Sequence, residues 1–582
     1  MKRRTFLQVT GAASIGAVLG SCTTMAPAQH AEGKGMNTSP LNEELLQGRN
    51  QNRSTVVSRH GMVCTSQPLA SMAGIDILKA GGNAIDAAIA ANAALTVVEP
   101  FNCGLGGDLF AIVWSEKDRR LFGLNASGRS PYEWSLEAAQ SLGLDKIPAM
   151  GPLAWSVPGC VSGWGALLER FGSKGLPEIL AAAIDYARNG FPVSPLISTG
   201  WPFAANEFPD LASLYMPGGQ APRYGEIFQC APLADTLESI AREGTDSFYQ
   251  GRIADEIDAY SQTVGGKFTK RDFEDHEANW VDPITTSYRG YDVWELPPNG
   301  QGAAALQILN MLEQFDIASL EPNSAEQLHL FVEAKKLAFE DRAVYYADMD
   351  RADVPIEWLI SKEYGKERAK LIDPQRASTS VGPGAWDGSK DTIYLTAADQ
   401  DGNMVSLIQS LYYGWGSHMA PPSVGFPIQN RGELFALDPK HRNRLEPHKR
   451  PFHTIIPAFL TKDGNPVFSF GVMGGDFQPQ GHAQVLMNLL DFGMSVQQAG
   501  EQPRVRHSGS SEPTGSRMEQ GGLVSFERHI PDSVIQRMAD MGHTIQGGKS
   551  DHGGYQGIWR ADDPLRWFGG SDPRKDGCAI GY

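Results

Sequence analysis

The chain has 582 residues, 41% of them hydrophobic, with 64 Gly and 37 Pro, enough to bury a large core and too mixed for a fibrous or disordered protein. Its formal net charge of -17 argues against nucleic acid or an anionic membrane surface as partner, because both are bound through a basic face. The first 22 residues, "MKRRTFLQVTGAASIGAVLGSC", start with paired arginines and continue into a weakly apolar run far shorter than the ~20 residues a membrane span needs. They read as an export signal. "RRTFLQ" resembles a twin-arginine signal, and "LGSC" resembles a lipobox that would leave Cys22 as the acylated first residue of a membrane-anchored envelope protein. The alternative is a plain signal peptide cut near Ala26 or Ala28. Residues 23–53 are polar and read as a tether.

From Ser54 the pattern tightens. "GMVCTSQ" predicts a strand and "LASMAGIDILKA" a helix ending at Gly81-Gly82; Asn83 then caps "AIDAAIAANAALTVVEP", with Asp86 in capping-box position. "LFAIVWSEKDRRLFGLNAS" predicts a hairpin, and "VSGWGALLERFG", "LPEILAAAIDYARNG", "GAAALQILNML" and "AEQLHLFVEAKKLAFEDRAVYYAD" each predict a helix. A loop rich in Gly, Ser and Pro runs to Asp391, and "TIYLTAAD" and "MVSLIQSLY" then alternate as two strands around "DQDGN", with Thr392 first. Helices at "QGHAQVLMNLLDFG" and "DSVIQRMADMGH" and strands in "YQGIWRADDPLRWFGG" complete the chain. Strands and helices segregate without a regular βαβ alternation, so the expected class is α+β in stacked layers.

Five cysteines beyond Cys22, widely spaced and without a CxxC, speak against a zinc cluster or a disulfide scaffold. "FEDHEANW" reads as a solvated acidic face, and no HExxH motif supports a metal there; no cofactor is implied. "GLGGD" lacks a P-loop lysine and reads as a tight buried turn. "GVMGGDFQPQGH" sets Gly474 and Gly475 between a strand and a helix, where two glycine N–H groups could meet a developing oxyanion. No GxSxG elbow accompanies them.

Taken together, "GMVCTSQPLASMAGIDILKAGGNAIDAAIAANAALTVVEPFNCGLGGDLFAI", "EAKKLAFEDRAVYYAD", "DTIYLTAADQDGNMVSL", "KRPFHTIIPAF", "GVMGGDFQPQ" and "SDPRKDGCAIGY" resemble the gamma-glutamyltransferase (gamma-glutamyltranspeptidase) family from about Gly61 to Tyr582. The resemblance implies a four-layer αββα sandwich of the N-terminal-nucleophile hydrolases and a precursor that cuts itself between Asp391 and Thr392. A large subunit, 54–391, and a small one, 392–582, would then stay associated as a heterodimer. It assigns Thr392 as nucleophile, with the freed α-amine, of pKa near ~8, as its base. Ser410 matches the family's second threonine, which hydrogen-bonds the nucleophile, and Gly474 and Gly475 match its oxyanion donors.

Departures from the family pattern concern substrate. The arginine that binds the donor's α-carboxylate falls at Ser127, with Arg129 two residues on, and the aspartate that grips the α-amine falls at Leu434, beside Glu433. The paired serines match His453 and Thr454. This combination is similar to the branch that includes cephalosporin acylases, in which Arg431 or Arg129 would hold a side-chain carboxylate. The readings are a gamma-glutamyl hydrolase or transferase, an acylase of the same mechanism for glutaryl-type groups, and a lipoprotein that only binds small amides.

Overall fold

The computed structural model describes residues 52–382, 393–547 and 551–582. Strand by strand, apolar side chains alternate between two different cores, as a sheet buried on both faces requires. In Asp108–Ser115, Leu109, Ala111 and Val113 pack toward one set of helices, whereas Phe110, Ile112 and Trp114 point into a central core. Met62 and Cys64 share that central core, and Val63 faces the helices.

Two seven-stranded sheets result. One runs Cys578–Gly581, Met62–Thr65, Ile393–Ala398, Met404–Ser410, Asp108–Ser115, Arg120–Ala126, Asn279–Val281. The other runs Val56–Ser58, Arg566–Ser571, Gly554–Ala561, Asn465–Met473, Ala458–Lys462, Tyr291–Glu295, Ile284–Tyr288. Every pairing in both is antiparallel. The sheets meet through Phe110, Tyr394, Ile408, Phe459, Ile558 and Trp567. Helices Pro68–Lys79 and Ala84–Val98 cover the first sheet. Gly302–Leu312, Ala325–Tyr345 and Gln478–Leu486 cover the second. This is the αββα sandwich that the sequence implied.

Local signals hold where one interaction dominates. Asn83 accepts hydrogen bonds from the N–H groups of Ile85 and Asp86, while Asp86 accepts from that of Asn83, completing the capping box. Three expectations change. "LPEILAAAIDYARNG" forms two helices, Leu176–Ile179 and Ala181–Asn189, divided at Leu180, whose side chain is fully buried. The helix Gln478–Leu486 widens into a π turn over Met487–Asp491. That turn brings the Asp491 carboxylate to Arg289 Nε and Tyr288 Oη, each at 2.7 Å. In "FEDHEANW", Glu274, Asp275 and Glu277 are exposed as expected, but His276 is buried against Ser162 Oγ at 2.9 Å, and burial lowers its pKa to about 3. The five cysteines among the described residues are free thiols.

Candidate active site

Ser410 ends a central strand and pairs in register with Asp108, the first residue of the next. The "GLGGD" turn brings them together. A Cβ on Gly106 would lie 2.1 Å from the Pro427 carbonyl oxygen and one on Gly107 2.4 Å from that of Ser410, so only glycine lets the turn press against both segments. Ser410 is buried, and its Oγ accepts the Tyr412 N–H at 2.8 Å.

Asp108 is the hub of the site. Its Oδ1 accepts hydrogen bonds from Gly128 N at 2.9 Å, Gly159 N at 3.2 Å and Gln429 Nε2 at 2.8 Å. Its Oδ2 lies 3.0 Å from His453 Nε2. Burial first, and the Arg431 guanidinium second, lower the His453 pKa to about 4, so the imidazole is neutral at ordinary pH.

Thr454, next in the chain, joins two further groups. Its Oγ1 accepts from Arg431 Nη1 at 2.6 Å, and its carbonyl accepts from Gln301 Nε2 at 2.6 Å. The same Gln301 nitrogen donates to the Gly475 carbonyl at 2.8 Å, and Gln301 Oε1 accepts from Arg342 Nη1. Loss of solvent lowers the Arg342 pKa to about 9 and the Arg431 pKa to about 10. The Arg431 guanidinium lies 4.2 Å from the Tyr412 ring centroid.

Gly474 and Gly475 follow the strand Asn465–Met473 with φ of +125° and +60°. Among the described residues neither amide N–H is used in a hydrogen bond, and the helix Gln478–Leu486 begins three residues on, its N-terminus adding positive potential. Two open amides in a buried turn are chemically able to receive a negative oxygen.

Of the residues singled out from sequence, Ser410, His453, Thr454, Arg431, Gly474 and Gly475 fall within this one network. Glu433 lies two residues from Arg431 in the short 3-10 helix Arg431–Leu434. Arg129 belongs to a neighbouring cluster, with Nη2 at 3.4 Å from Asn279 Oδ1 and 3.7 Å from Asp350 Oδ2. There it faces Arg450, whose Nε donates to the Ser127 carbonyl at 3.0 Å. Burial and then Arg129 bring the Arg450 pKa down to about 10. Asp391, Thr392 and Cys22 lie outside the described residues; the described strand begins at Ile393, peptide-bonded to Thr392.

Sequence reasoning missed Asp108, Tyr412, Gln429, Gln301, Arg342 and Arg450. A buried carboxylate at the end of "GLGGD" was the available signal for Asp108. The others are side chains whose importance shows only once the fold sets them against their partners.

One group of metal-type donors stands close together among the described residues: His329, Glu333 and His543, within 4.8 Å of one another. These three side chains are already engaged, with one another or with neighbours. The two rings share a hydrogen bond of 2.8 Å, His329 Nε2 meets the Asp373 carbonyl at 2.8 Å, and Glu333 takes the Lys336 ammonium at 2.7 Å.

The sandwich, with a buried hydroxyl and an open diglycine at the ends of two central strands, defines an N-terminal-nucleophile hydrolase. The gamma-glutamyltranspeptidase family model matches residues 70–582, and the chain belongs to that family. It is 38% identical over 544 residues to the glutathione hydrolase-like YwrD proenzyme of Bacillus subtilis (strain 168), covering 90% of this chain and 99% of that protein. It is 34% identical to the acylase ACY 1 proenzyme of Pseudomonas sp. (strain SE83), covering 88% of this chain and 94% of that protein. The solved cephalosporin acylase from Bacillus halodurans superposes with a TM-score of 0.85 at 42% identity, over 91% of this chain and 97% of that one.

Proposed function

We propose that the chain cuts itself between Asp391 and Thr392, and that the freed Thr392 cleaves gamma-glutamyl or related acyl amides through an acyl-enzyme. Thr392 Oγ1 would lose its proton to the new α-amine and attack the amide carbonyl. The amides of Gly474 and Gly475 would hold the resulting oxyanion. The leaving amine would depart with that proton, and water or a second amine would take the acyl group. The observation that carries this reading is the register Ile393↔Gln409, which brings the strand that follows Thr392 in beside Ser410.

The interleaved sheets support a lasting heterodimer. Ile393–Ala398 and Met404–Ser410 lie between Met62–Thr65 and Asp108–Ser115, so the two pieces would share ladders on both sides after the cut. Leu434 supports the acylase reading alongside the gamma-glutamyl one, since it is fully buried in an apolar cluster with Tyr412 and Phe452 and brings no charge for an α-amine. The relatives named for acylase activity point the same way. Hydrolysis is the reaction we expect to predominate over transfer to dipeptides. "RRTFLQ" and "LGSC" support export and anchoring of the protein in the bacterial envelope through Cys22.

The deciding experiment is gel analysis and N-terminal sequencing of the purified protein, followed by assay on gamma-glutamyl and glutaryl anilides. Two fragments, the smaller beginning with Thr392, and an uncut, inactive Thr392→Ala are expected. A single full-length band with anilide activity would overturn the reading.

A further inference from the structure

Gln301 is fully buried, and its amide is spent at both ends. Oε1 faces Arg342 Nη1, and because a guanidinium can only donate, this contact fixes which end of the amide is oxygen and which is nitrogen. The two Nε2 hydrogens then go to two different carbonyls, that of Thr454 at 2.6 Å and that of Gly475 at 2.8 Å. Among the described residues, no other side chain donates to a carbonyl of the diglycine.

The diglycine's own hydrogen bonds hold its shape but not its place. Phe477 N–H donates to the Gly474 carbonyl at 3.0 Å and Gln478 N–H to the Gly475 carbonyl at 3.2 Å. Because a peptide is planar and trans, the first of these bonds also sets the direction of the Gly475 N–H. Both bonds run to the start of the helix Gln478–Leu486 and would move with it. The contact from Ile456 N–H to Gln478 Oε1 at 2.8 Å ties that helix to the facing segment, but only Gln301 ties the diglycine itself. Gln301 stands at the N-cap of Gly302–Leu312, so the donor rides on a rigid element. Two residues before it, the Asn299 carbonyl accepts His453 N–H at 2.8 Å, which keeps the same segment in register.

We propose that Gln301 is a positioning residue for the oxyanion, fixing the separation between the Gly474–Gly475 amides and the segment ending at Thr454. This rests on the reading of the site as an acyl-transfer centre. A donor displaced by a fraction of an ångström loses most of its effect on a developing charge. Gln301 lies in 54–391 and both carbonyls lie in 392–582, so after the cut one piece would carry the nucleophile and the oxyanion donors and the other piece their brace.

The test is Gln301→Met, which keeps the length of the side chain and removes the donor, assayed on self-cut protein with the better of the gamma-glutamyl and glutaryl anilides. The rate is referred to the cut fraction read from a gel, so slow self-cutting does not enter. The expected result is a kcat about tenfold lower or worse with KM changed by less than about threefold, because the oxyanion forms only after binding. A brace that served stability alone would lower the thermal midpoint and leave kcat in place. In Gly474→Ala the brace has little left to align, so adding Gln301→Met should cost less than about threefold more. A kcat within about threefold of wild type, or losses that multiply in the double variant, overturns the assignment. Hydrogen exchange of the wild type needs no variant: the Phe477 and Gln478 amides should exchange as slowly as those of the helix Ala84–Val98, and exchange at the rate of an open loop overturns the proposal. Should no anilide be turned over, exchange decides alone: a rate about tenfold higher in Gln301→Met leaves the brace and removes the amidase reading, and an unchanged rate removes both.

Discussion

Asp108 and His453 meet 3.0 Å apart with both side chains fully buried, and a third group sets the proton between them. The Ile455 N–H approaches His453 Nδ1 at 3.3 Å, so Nδ1 is the acceptor and Nε2 carries the hydrogen donated to Asp108. Asp108 opens a strand of one sheet, and His453 lies in the segment that leads into Ala458–Lys462 of the other. One neutral imidazole therefore joins the two halves of the site.

This pairing has a pH signature. The folded His453 has its pKa lowered to about 4, against ~6.5 in an unfolded chain. Above pH ~6.5 both states are neutral and the contribution is complete. As pH falls below that value the unfolded state takes up a proton that the folded state refuses, so stability is lost until the folded value is reached. Between pH 7 and 5 the loss from this one group is about 2 kcal/mol. Urea unfolding of Thr392→Ala, a single uncut chain, should show a steeper decline over that interval than Thr392→Ala with His453→Gln. Identical declines would mean that His453 titrates in the fold as it does in the unfolded chain.

Ser410 tests whether a hydroxyl, rather than threonine itself, is what its position requires. Ser410→Ala deletes the acceptor of the buried Tyr412 N–H, costing about 1–3 kcal/mol, and loosens the ring that lies on Arg431. Self-cutting and anilide turnover should both slow tenfold or more, while Ser410→Thr should recover most of the loss. Band conversion over time and kcat read the two effects, and an alanine variant as fast as the wild type would remove Ser410 from the site.

The periodic parts of this fold were legible because local rules and tertiary structure agree in them. The capped helix at Ala84, the hairpin from Asp108 and the paired strands around "DQDGN" all follow from alternation, capping and turn residues. The site was legible only where short motifs carry it, at Ser410, Arg431, Gly474, Gly475 and the pair His453-Thr454. Asp108 reads in sequence as the end of a turn, because its partners Gly128, Gly159, Gln429 and His453 arrive from four separate segments. Gln301 is hidden for the same reason: an amide in a helix cap has no sequence mark until Thr454, Gly475 and Arg342 surround it.

Location can be checked independently of catalysis. With Cys22 acylated the protein should sediment with membranes, and Cys22→Ser should move it to the soluble fraction, since an acylated terminus is the anchor that "LGSC" offers. Membrane association that survives Cys22→Ser would place the anchor elsewhere.

The diglycine allows the sharpest separation of folding from chemistry. Gly474 has φ of +125°, a region that L side chains do not populate, and a Cβ there would stand 3.1 Å from Gly553 Cα. Gly475 has φ of +60°, which an alanine adopts at a cost of about 1–2 kcal/mol. Gly474→Ala must therefore rotate the peptide that joins the two residues, whereas Gly475→Ala can keep it. If that peptide's N–H receives the oxyanion, Gly474→Ala should lose about 10²–10³ in kcat with a much smaller change in KM, because the interaction forms in the transition state and not with bound substrate. Gly475→Ala should show a milder loss, with its penalty visible mainly as a lower thermal midpoint. The comparison is made on protein assembled from the large and small pieces expressed as separate chains, so that a defect in self-cutting does not mask the effect on turnover. A Gly474→Ala enzyme that keeps its thermal midpoint and a kcat within threefold of wild type would show that the negative oxygen is held by some other donor.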